Sequence, residues 1–143
     1  MTLHLIRLSV GSKDLRHAAE RQKQWHTTYH GQTVMPVYTR RAPRRDEELL
    51  KGGSLYWVIK NNIRARQTIL GIEEIKEEGE EPYCLIMLDA KIMRVQPIGK
   101  KAFQGWRYLQ PSDAPPDIGF YDSDDDEEID PQMEKELIEL GLL

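Results

Sequence analysis

The sequence predicts an α+β fold: a small, strongly curved, mostly antiparallel β-barrel with one main N-terminal helix. Three observations lead there. Several segments alternate along the chain with the two-residue period of strands, only one substantial stretch repeats at three and four, and the joining loops are short. A length of 143 residues suits one domain with a core that needs no staples. The single cysteine, Cys84, excludes an internal disulfide framework and fits a reducing cytoplasm. No apolar run approaches the roughly 20 residues of a membrane span. The start, Met1 to Arg7, is too short and too soon charged for a signal peptide.

Leu3 to Val10 reads as a strand, with His4, Ile6, Leu8 and Val10 on one face and Leu3, Leu5, Arg7 and Ser9 on the other. Gly11 ends it and Ser12 is the expected N-cap of a helix. Leu15, Ala18, Gln22, Trp25 and Tyr29 recur at three and four, so the helix is expected to run to about Tyr29 and close at Gly31. Thr33 to Arg41 is extended, an edge or bulged strand because of Pro36. Asp46 to Lys51 is a helical turn stopped by Gly52-Gly53. Ser54 to Lys60 is the strongest strand signal, and Asn61-Asn62 the turn into a long strand, Ile63 to Ile75, with Gly71 a candidate bulge. Glu77 to Pro82 forms a solvated loop before the apolar run Tyr83 to Leu88. Ile92 to Val95 is short, broken by Pro97 and Gly99, and Phe103 to Leu109 supplies the last strand.

Charge divides the chain. Residues 1–110 hold 19 Lys and Arg against 12 Asp and Glu, whereas residues 111–143 hold one Lys against 12 acidic residues. The expected organisation is therefore one domain over 1–118 and an acidic tail over 119–143. The run Asp122 to Asp130 cannot bury enough apolar area to order itself. Beyond it Pro131 starts a short amphipathic terminal helix whose stripe of Met133, Leu137 and Leu140 docks on the body, binds a protein partner or stays frayed. The tail acts either as a solubility segment or as an internal competitor for nucleic acid.

Little in the chain suggests metal or cofactor chemistry, and none is expected. His26 and His30 stand four apart with no neighbouring carboxylate or thiol, and Cys84 lies in an apolar run. Gly52-Gly53-Ser54 lacks the spacing of a phosphate-binding loop. Glu73 and Glu74 are adjacent and on a strand face opposite sides. The informative groups are basic and aromatic. Arg40, Arg41, Arg44 and Arg45 fall within six residues, and guanidinium forks suit phosphate oxygens. Lys60, Arg64 and Arg66 follow on the hairpin whose first strand carries Tyr56 and Trp57. Gln104, Trp106 and Arg107 repeat the combination. Flat rings beside cations are what stacking a base and holding its phosphate require.

Four segments carry a resemblance: Thr2 to Leu8, Leu49 to Lys60 (LLKGGSLYWVIK), Arg66 to Leu70, and Phe103 to Leu109 (FQGWRYL). In this order they resemble an uncharacterised family of small bacterial proteins, a domain of unknown function, over about residues 1–118. A fold-level likeness is to the PUA-like superfamily, in its EVE and ASCH branches. That likeness implies a small barrel that binds RNA or modified bases in an aromatic pocket, and for some members hydrolysis of an acylated cytidine. The expected function is thus a cytoplasmic RNA- or modified-nucleotide-binding module, with Arg44→Ala plus Arg45→Ala lowering the salt slope of binding by roughly two. The alternatives are a small hydrolase of a modified nucleoside, using Lys60 or Lys51 as base or nucleophile, and a protein-interaction adaptor.

Overall fold

The computed structural model describes residues 2–122, 136 and 138–141. In chain order they form β1 (His4–Leu8), α1 (Leu15–Lys23), β2 (Thr27–Tyr29), β3 (Gln32–Thr39), α2 (Asp46–Leu49), β4 (Ser54–Ile59), β5 (Asn62–Ile75), β6 (Tyr83–Asp89), β7 (Met93–Gly99), β8 (Trp106–Leu109), a 3-10 turn (Pro111–Asp113) and β9 (Asp117–Phe120). The strands make one sheet with the order β2-β3-β6-β5-β4-β1-β8, and β7 and β9 branch from β5. Only β1 and β4 pair in parallel; the other ladders are antiparallel.

The long strand β5 shapes the sheet. Its first half pairs with β4 and β7, and its second half with β6, with the β6 register slipping between Ile69 and Gly71. The bulge expected at Gly71 is present, and the ring of Tyr29 explains why a glycine stands there. A side chain at Gly71 would collide with that ring, whose hydroxyl donates to Glu73 Oε1 at 2.6 Å. Bent there, the sheet curls until Leu5, Val37, Leu55, Ile69, Ile86 and Trp106 share one core. On the outer face Ile6, Tyr56, Val58, Ile63, Val95 and Leu109 form a second cluster.

Ladder closure, which a barrel requires, is not made: the path of paired strands runs open from β2 to β8. Side chains bridge the gap instead. Arg7 Nη1 donates to the Tyr38 carbonyl at 2.8 Å, Trp106 Nε1 to the Arg41 carbonyl at 2.8 Å, and Arg41 Nη2 to the Trp106 carbonyl at 3.1 Å. A seam between β1/β8 and β3 results. Here β3 has outrun the three-residue β2, so its free edge faces the seam and Pro36 needs no partner on that side.

Several expected boundaries move. The helix stops at Lys23, because Thr27 to Tyr29 instead pair with β3 through a His30-Gly31 turn whose residues both have positive φ. Its N-cap is Asp14, which accepts from the His17 amide at 2.7 Å, while Ser12 hydrogen-bonds Ser9. The β4–β5 turn sits one residue early, at Lys60-Asn61, both left-handed. Pro97 and Gly99 do not break β7; the strand passes through them where its register with β5 shifts. The last aromatic strand begins only at Trp106, and β9 adds a further strand reaching Phe120. Gly52-Gly53 is a helix stop, as expected. Gly52 is left-handed, and a side chain on Gly53 would strike the carbonyls of Leu3 and Leu49. The stripe residues Met133 and Leu137 lie outside the described residues, as does the acidic run from residue 123; Leu140 is exposed.

Candidate functional site

The inward row of β1 is Leu5 and Arg7, continuing Leu3 just before the strand. Leu3 and Leu5 enter the core and Arg7 leaves it at the seam. Arg7 is the register neighbour of Trp57 on β4 and of Trp106 on β8. Neighbours in register point to the same face, so a guanidinium stands between two indoles. Trp57 and Trp106 are only 8% and 5% exposed, so each is mostly core and offers an edge to the outside.

Two clefts open along this row, and both are lined by Arg7 and Tyr38. The first, of about 370 Å³, runs under α1 and adds Arg21, Trp25, Met35 and Trp57. The second, of about 510 Å³, adds Arg40, Arg41, Gln104 and Trp106. Trp25 is 65% exposed and its ring faces solvent, whereas the ring of Tyr38 packs against Tyr83, their centroids 5.3 Å apart. No Asp or Glu lines either cleft, in a chain with 24 of them. Burial pushes the Arg7 guanidinium below its ordinary value, and nothing acidic offsets it. Arg21 Nη1 donates to the Val10 carbonyl at 2.7 Å, and Arg41 lies 4.1 Å above the Trp106 ring.

The floor is rigid. Gln67 Oε1 accepts from Trp57 Nε1 at 2.8 Å and from Gln22 Nε2 at 2.9 Å. Its Nε2 donates to Gln22 Oε1 and to the Asp89 carbonyl, both at 2.9 Å. Gln67 is buried and uses both of its ends, fixing α1 and the Trp57 ring relative to β5 and β6.

Of the residues expected to act together, the structure gathers Arg40, Arg41, Trp57, Gln104 and Trp106 at the seam. The others are elsewhere. Tyr56 is buried on the outer face against His4, and Arg64 is buried. Arg66 grips Asp117 with two hydrogen bonds of 2.7 Å and donates a third to Ser54 Oγ at 2.9 Å. That grip raises the Arg66 pKa and lowers that of Asp117. Arg45 pairs with Glu48, Arg107 lies over Phe103, Lys60 is exposed at the hairpin turn, and Arg44 is exposed on the loop before α2. Arg7, Arg21, Trp25 and Tyr38 were not singled out by sequence. The signal for Arg7 was there: a charged residue in the inward row of a strand. Cys84 is fully buried and its thiol is pushed up to about 11 by that burial, so it is no nucleophile. No group of three or more His, Cys, Asp and Glu suited to a metal occurs among the described residues. Nor, among them, is any helix long and apolar enough to cross a membrane.

The chain matches the family model described as "Protein of unknown function (DUF1489)" over residues 5–143. It belongs to that family. The match runs through the acidic tail, which the sequence reading had left outside the family likeness. No curated protein and no solved structure matches the chain.

Proposed function

We propose that this DUF1489 protein is an RNA- or modified-nucleotide-binding module whose ligand lies along the seam between β1 and β3. One observation carries the reading: two adjoining clefts hold four arginines, the exposed Trp25 ring and no carboxylate. Arg7, Arg21, Arg40 and Arg41 supply phosphate contacts, and Trp25 supplies a stacking face. Gln104 lines the same cleft as Arg40 and Arg41, and its amide has the chemistry to meet a base edge. A curled sheet with an aromatic-lined opening also agrees with the PUA-like likeness, as fold-level analogy. A hydrolase gains nothing from the geometry, since Lys51 and Lys60 are exposed and line neither seam cleft.

The test is RNA binding by fluorescence anisotropy over a salt series. Arg7→Gln plus Arg21→Gln is expected to weaken binding and flatten the salt dependence by about 1.4, at about 0.7 per single-strand phosphate contact. Arg44→Ala plus Arg45→Ala, outside both clefts, is expected to do less. The reverse ranking would move the interface to the loop before α2.

A further inference from the structure

We infer that a cleft beneath the opposite flank of α1 continues the track for a single-stranded nucleic acid; this rests on the seam reading above. The last turn of α1 and the two residues after its C-cap, Gln24, divide the two flanks. Ala18, Arg21 and Trp25 line the first seam cleft, whereas Ala19, Lys23 and His26 line a third, of about 410 Å³. Gln22 lies between them and lines both.

This third cleft repeats the chemistry of the seam with different residues. Lys23 and Lys91 supply the cations, Phe120 and Tyr121 the rings, and no Asp or Glu lines it. Phe120 ends β9 with 60% of its surface exposed, which a core role does not explain. The rim is fixed by the backbone, since the Tyr121 amide donates to the Ile92 carbonyl at 2.8 Å.

What separates the clefts is the last turn of one helix, about 10 Å across with its side chains. That turn would ordinarily repel phosphate, because a helix C-terminus carries partial negative charge. Here Arg21 and Lys23 both sit in it. The exposed Trp25 follows immediately, so a strand crossing the turn meets a ring at the divide and cations on either side. Continuity with the seam favours a strand over a small anion as the occupant.

The experiment compares a uridine dinucleotide with a uridine oligomer of about ten nucleotides, within the range of single-strand site sizes. Lys23→Gln plus Lys91→Gln is expected to weaken the oligomer and reduce its salt slope by about 1.4, leaving the dinucleotide unchanged. Phe120→Ala is expected to weaken the oligomer about fivefold or more, the loss of one stacked base. Equal oligomer binding by wild type and both variants overturns the extended track and leaves the seam reading standing. Equal weakening of both ligands also overturns it, because the lysines would then act only through the general field. If wild type binds neither ligand, the seam reading fails and takes the track with it.

Discussion

Arg7 and Arg66 lie on the inner and outer faces of the same sheet, and their surroundings make them different residues. Arg66 gives its guanidinium to Asp117 and Ser54, joining β5, β9 and β4. Arg7 gives one hydrogen bond to the Tyr38 carbonyl and meets no carboxylate among the described residues. An arginine already engaged by a carboxylate contributes to the fold. One held beside rings without an acidic partner remains available to an incoming anion. Composition shows the number of arginines, and only the contacts separate these two uses.

The largest effect is expected beneath the seam. Gln67→Leu removes the shared partner of Trp57 Nε1, the Gln22 amide and the Asp89 carbonyl. Buried polar groups left without partners cost roughly 1–3 kcal/mol each, so a total loss of about 3 kcal/mol is expected. Urea unfolding measures it, and Trp57 fluorescence should change with it. A loss under about 1 kcal/mol would mean the cleft floor is held by apolar packing alone.

At the outer face Asp117→Ala strands Arg66, which is only partly exposed. About 2 kcal/mol of stability should go, within the range for hydrogen bonds to charged groups. Oligonucleotide affinity should stay within about twofold, because the pair lines neither seam cleft. Arg7→Met should show the opposite pattern. About tenfold in affinity is lost, or roughly 1.4 kcal/mol, while stability shifts by less than about 1 kcal/mol. If Arg7→Met were the more destabilising of the two, Arg7 would be a staple like Arg66 and the contrast would collapse.

Much of the strand order was legible because it rests on local alternation. Ser54 to Ile59 and Tyr83 to Leu88 announce themselves by aromatic and branched residues, and Gly71 by interrupting a long strand. Trp25 and Tyr29 misled because they continue a helical spacing after the helix has ended. The Thr27 to Tyr29 pairing with β3 decides that segment, and pairing is non-local. The site failed to read for a related reason. Arg66 and Asp117 are 51 residues apart, so no inspection of Arg66's neighbours shows that it is engaged. Tyr56 and Trp57 are adjacent on a strand and therefore face opposite sides, one toward the outer cluster and one toward the seam.

The smallest effect concerns protons on the outer face. His4 Nδ1 accepts from the Ser54 amide at 3.0 Å, so its single proton sits on Nε2. Burial lowers the His4 pKa from the ordinary 6.5, the nearby Arg66 lowers it further, and Asp117 opposes them. A base whose folded pKa is depressed binds its proton more readily in the unfolded chain. Its contribution is therefore present above about 6.5 and lost as pH falls through the folded value. Asp117 behaves in the same direction but lower, holding its contribution above 3.8 and losing it as pH falls through its depressed value. Between about pH 7 and pH 5 the staple side should therefore weaken through His4 while Arg66 and Asp117 stay ionised. His4→Asn should flatten the fall of the urea midpoint across that window, read as a difference from wild type so that other histidines cancel. An unchanged slope would show that His4 takes its second proton without disturbing the outer face.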